Sequence, residues 1–109
     1  MAEPTLAQVF GANATQDANT ITISKADLTS VGLTSSATNR AEQLLVAILL
    51  KAATYLNPTQ QENDTDIQVT IDPSFPSIVY RNNQSYRQNT YTIALQKLDT
   101  GSTIDPDDY

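Results

Sequence analysis

The stretch RAEQLLVAILLKAATYL, residues 40–56, decides the fold class. Ala41, Leu44, Leu45, Ile48, Ala52 and Tyr55 recur at the spacing of one helix face. Leu45 and Ile48 lie at the centre of this stripe and are the expected heart of the core. Val46, Leu49 and Leu50 widen it, so the helix is apolar over most of its circumference. Such a helix is buried on more than one side, either by its own domain or in part by another subunit. Asn39 is a good N-cap, and Glu42, three residues on, can reach back to the first turn. Asn57 followed by Pro58 ends the helix, because proline cannot continue the ladder.

Before this helix, residues 4–10 read as a short helix, with Thr5 as its cap and Gly11 as its stop. Residues 13–19 are polar and loop-like. Residues 20–24 alternate, with Ile21 and Ile23 on one face, as in a half-buried strand. Ser24 and Asp27 resemble a capping pair, so a helical turn follows as far as Ser30. After the long helix, TQQENDTD (59–66) reads as a polar loop. Ile67, Val69 and Ile71 alternate again until DPSFP breaks the pattern. Residues 77–81 form a short β-branched and aromatic run, residues 82–85 a hairpin tip, and residues 91–98 a last strand. Strands clustered after the helix pair antiparallel. The expected fold is α+β, with one long buried helix packed on a small antiparallel sheet of three to four strands. Residues 1–98 form the single domain, and residues 99–109 an acidic C-terminal tail.

The chain of 109 residues fits one domain. With no Cys and no His, it lacks thiol chemistry, the usual base of a hydrolytic triad, and the soft ligands of transition metals. Only hard-cation binding through oxygen remains. The carboxylate groups at 63–66 and 105–108 lack the glycine and distal glutamate of a calcium loop, and read as a solvated loop and tail. No G-x-S-x-G, Walker or dinucleotide motif occurs. Sequons at Asn13, Asn63 and Asn83 are expected by chance in so Ser/Thr-rich a chain. The expectation is therefore no enzyme, no catalytic, cofactor-binding or metal residues, and no cofactor. Six scattered bases against twelve acids disfavour nucleic acid. The longest apolar run, residues 44–50, is too short to span a membrane, and residues 1–5 lack the basic start of a secretory signal.

Contact surfaces are what remains. Tyr80, Tyr86 and Tyr91 cluster around the hairpin, where tyrosine serves an interface or an ordinary strand equally well. The tail holds Asp105, Asp107 and Asp108 and ends in Tyr109. It has no apolar periodicity, so its order is expected to come from a neighbouring subunit, with Tyr109 as anchor and the aspartates facing a partner's bases.

AEPTLAQVFGANATQ (2–16), ITISKADLTSVGL (21–33) and NRAEQLLVAILLKA (39–52) resemble small uncharacterised proteins of filamentous cyanobacteria and their phages. The resemblance covers the first half of the chain and brings no catalytic motif with it. Ser, Thr, Asn and Gln supply 40 residues, a base-poor composition of the kind common among virion proteins. The expected function is that of a non-enzymatic virion structural protein: a capsid-decoration, neck or tail component, contacting other virion proteins and forming a homo-oligomer. The alternative is a small soluble, non-catalytic binding or adaptor protein of the bacterial cytoplasm. A carboxylate-based hydrolase has no motif behind it.

Overall fold

The computed structural model describes residues 3–98 and 103–109, and its fold is α+β. A short helix α1 (Leu6–Phe10) opens it. Thr5 caps the helix through a reciprocal pair: the Gln8 amide donates to Thr5 Oγ1 at 3.1 Å, and the Thr5 amide donates to Gln8 Oε1 at 2.9 Å. Gly11 ends it at φ 112°, where a Cβ would lie 2.4 Å from Asp27 Cβ. Asp27 holds the following loop by accepting from the Asn13 amide and side chain, at 2.8 and 3.1 Å.

Residues 20–24 do not join the main sheet. Only Ile21–Thr22 (β2) is extended, and it pairs with Thr15–Gln16 (β1) across a tight turn. Asp17 ties this turn: its Oδ1 accepts from the Asn19 and Thr20 amides, both at 2.8 Å. These donors hold its carboxyl below the usual carboxylate range. The local hairpin satisfies a segment too short to reach the other strands. A 3-10 helix (Lys25–Val31) follows and closes on Gly32 in the left-handed region.

The long helix α2 runs over Ala41–Ala53, shorter than residues 40–56. Arg40, not Asn39, occupies the cap position, and its amide donates to Gln43 Oε1. Asn39 instead ties the preceding loop, accepting from the Ser36 amide and donating to the Thr34 carbonyl. Two small clusters flank the helix. Ala52 packs with Val9 and Ile71, bordered by Phe10, Leu49, Leu56 and Tyr91. Ala47 packs with Leu28 and Leu33, bordered by Ile23, Leu44 and Ile48. The expectation of a fully buried helix fails on the remaining face, where Leu45 is 67% and Val46 53% exposed. Neither cluster reaches that side.

Pro58 begins a second helix and does not end the first, which stops at Ala53. It sits in the first turn of α3 (Pro58–Asn63), where its missing N–H is no loss, and Asn57 caps that turn by accepting from the Gln60 amide. The expected polar loop at 59–66 is therefore mostly helix.

The expected sheet of three to four strands is instead a single kinked ribbon. β3 (Val69–Pro73) pairs with β6 (Tyr91–Leu95), and β4 (Ser77–Arg81) with β5 (Gln84–Gln88), all antiparallel. Each strand has one partner. The two halves are one ribbon, because the Ser74 amide donates to the Thr90 carbonyl between them at 2.7 Å. Residues 74–76 there face residues 89–90, so one extra residue bulges the first strand at Phe75 and Pro76. A third strand finds no place beside β3, since the Ile71 amide bonds the Leu56 carbonyl at the end of α2. The hairpin tip is two residues rather than four: Asn82 and Asn83 at φ 51° and 61° turn the chain directly.

Candidate functional site

The two halves of the ribbon sit in different surroundings. The base, β3 with β6, lies on α2 and α3, with Ile67, Thr70 and Ile71 buried. The arm, β4 with β5, has no buried residue on either face. The molecule is 47 Å long, with a radius of gyration of 16.2 Å. A compact chain of this size would have about 13 Å.

On one face of the arm, Val79 stands opposite Tyr86. The Arg81 guanidinium lies 4.1 Å from the Tyr86 ring centroid, and the Tyr86 hydroxyl donates to Gln84 Oε1 at 3.0 Å. On the other face, Ile78 stands opposite Arg87, and Tyr80, 80% exposed, opposite Ser85. Phe75, at the bulge, is 94% exposed. The arm thus presents aromatic and aliphatic area with one guanidinium on each face.

Tyr80 and Tyr86 therefore belong to this surface. Tyr91 does not: it sits on β6 in the base and packs against the Val9, Ala52 and Ile71 cluster. The acidic candidates lie at the other end of the ribbon. The tail there folds back on its own chain, contrary to the expectation that a neighbour orders it. Lys97 Nζ pairs with Asp108 Oδ2 at 2.7 Å, and the Gln68 side chain donates to the Asp108 carbonyl at 3.1 Å. Asp108 raises the Lys97 pKa above its usual value, chiefly through that hydrogen bond. Asp105 caps the last turn by accepting from the Asp107 amide. Tyr109 is half-buried and, with Glu3, Val9 and Leu56, lines a small cleft. Residues 99–102, Asp99 included, lie outside the described residues.

The carboxylates at 63–66 have structural work. Asp64 is buried and accepts from the Asp66 amide at 3.1 Å and from the Tyr55 hydroxyl at 3.4 Å. Among the described residues, no three acidic side chains converge in a way that could hold a metal ion. None of their helices is long and apolar enough to cross a membrane.

Arg81, Arg87, Phe75 and Ile78 complete the arm surface and were missed as candidates. Their signal lies in what the sequence omits. Residues 73–98 contain Arg81, Arg87 and Lys97 and no acid at all, while the rest of the chain carries three bases against all twelve acids.

Comparison with protein-family models, curated proteins and solved structures finds no match to this chain.

Proposed function

We propose that this chain is a non-enzymatic structural subunit of a phage particle, a capsid-decoration, neck or tail component. It acts through contacts with other virion proteins and with copies of itself. One observation carries the reading: the two-stranded arm of five residue pairs without a buried residue. A two-stranded hairpin standing alone is marginal in water, so a projecting one is stabilised by what it docks on. The resemblance read from residues 2–16, 21–33 and 39–52 is what suggests the phage setting. Nucleic acid does not enter the reading, since two arginines on the arm are too few to neutralise a run of phosphates.

The test is to purify phage particles on a gradient from the culture carrying the gene, and to look for the chain by mass spectrometry. It should co-sediment with particles at a fixed stoichiometry, and a chain lacking residues 77–88 should be missing from them. Recovery of the intact chain only from the soluble cell fraction would favour the bacterial adaptor instead.

A further inference from the structure

The ribbon is electrically polar along its length. Its arm carries Arg81 and Arg87 with no neighbouring acid. Its base opens on a cleft of about 450 Å³ lined by Glu3, Gln61, Asp66, Gln68 and Gln96. Asp108, on the tail that folds onto this end, adds a carboxylate beside the cleft through its contacts with Gln68 and Lys97. Lys97 also lines the cleft, but Asp108 already pairs with it. From Val69 to Arg81 the strand rises about 40 Å, so one copy cannot bring its own arm to its own cleft.

We propose that copies of this chain associate head to tail, the arm of one seated in the acidic cleft at the ribbon base of the next. Charge selects this contact over the symmetric ones. Two arms side by side would gather four guanidiniums with no carboxylate between them, and two bases would gather carboxylates. Arm against cleft brings unlike charge together, and guanidinium suits carboxylate as a two-pronged donor. Ile78 and Tyr80 supply apolar area beside Arg87 on one face, and Val79 and Tyr86 beside Arg81 on the other. The net charge of −6 does not forbid the contact. Screening at physiological ionic strength acts over about 8 Å, well short of the distance between the two ends, so each interface responds to its local charge. A contact between two different surfaces does not close on itself at the dimer, and it continues as a ring or a filament.

The inference rests on reading the chain as an assembly subunit, and it is tested apart from it. Sedimentation velocity of the full chain at physiological ionic strength should show mass growing past the dimer as concentration rises. Two variants separate the surfaces: Arg81→Gln with Arg87→Gln on the arm, and Glu3→Gln with Asp66→Asn in the cleft. Each variant alone should lose self-association by roughly tenfold or more. An equimolar mixture should form a one-to-one dimer that grows no further: the intact arm of the cleft variant still fits the intact cleft of the arm variant, while the neutral arm and neutral cleft left at the outer ends lack the charge contact. Thermal melting confirms that both variants are folded. A wild-type chain that stays monomeric, a cleft variant that associates like wild type, or a mixture that remains monomeric would each overturn the head-to-tail contact. Particle incorporation by a chain that does not self-associate would overturn it too, leaving the subunit reading intact.

Discussion

The base and the arm of the ribbon contain five cross-strand residue pairs each, and the two halves have opposite fates. In the base, Ile71 reaches the α2 cluster, and Thr70 and Ile71 are buried on opposite faces of β3. In the arm, Val79 is half-buried and stands opposite Tyr86. Both halves are rich in β-branched and aromatic residues, so strand propensity does not distinguish them. What differs is whether a helix lies underneath. Cross-strand pairs add a few tenths to about 1 kcal/mol each, whereas burying one large aliphatic side chain is worth about 1.5–3 kcal/mol. The base is held by the body and the arm mainly by itself.

The largest effect should come from a fully enclosed body residue. Leu28→Ala should cost about 2–5 kcal/mol, while Val79→Ala in the arm should shift the denaturation midpoint far less. Equal shifts from the two would erase the distinction. Next comes Gly11→Ala, which forces a side chain against Asp27 at a backbone angle that suits glycine. It should cost about 1–3 kcal/mol by chemical denaturation. A neutral result would mean that the α1 loop gives way easily.

A smaller effect concerns acid. The Asn19 and Thr20 amides depress the Asp17 carboxyl in the folded chain. The stability it provides is therefore present above the ordinary carboxylate range and is lost as pH falls through the lowered value. Amide exchange followed by NMR should show the β1–β2 turn loosening in acid before the body does. Loosening at neutral pH would break the assignment. The smallest effect is expected at the arm's outer face: Tyr80→Ala should leave the melting temperature of the isolated chain unchanged, as calorimetry can check. A clear drop would place Tyr80 in the fold rather than at a contact.

Several elements were legible because their causes are local. The Thr5 cap and the Asn82 and Asn83 turn follow from residues within a few positions of one another, whereas the 3-10 helix after Ser24 forms without the expected capping pair, since Ser24 makes no side-chain cap and the Asp27 carboxylate binds Asn13. Helix α2 was legible in existence but not in facing. Periodicity identifies Leu45 as part of an apolar stripe, but which sector is covered depends on where α1 and the 3-10 helix pack. Pro58 reads as a stop from one side and a start from the other, and only the Asn57 cap decides for a second helix. The sheet was misread because strand count says nothing about how strands pair, and one extra residue at Phe75 and Pro76 divides what pairing makes continuous. Of the tyrosine candidates, Tyr91 lies in the base, and Tyr80 and Tyr86 lie on the arm. The arginines beside them were obscured when charge was counted along the whole chain rather than along the ribbon.

The bulge at Phe75 and Pro76 also divides the ribbon for a protease. Trypsin cuts after Arg81 and Arg87, both in the half with no buried residue, and cleavage needs only that a short stretch open. Nicking should therefore fall there before Lys51 in α2. The two large fragments, residues 1–81 and 88–109, should not separate, because β3 and β6 remain paired on the body at either side of the excised 82–87. A gel under denaturing conditions would show two pieces where a sizing column shows one, and any partner that seats the arm should slow the cut.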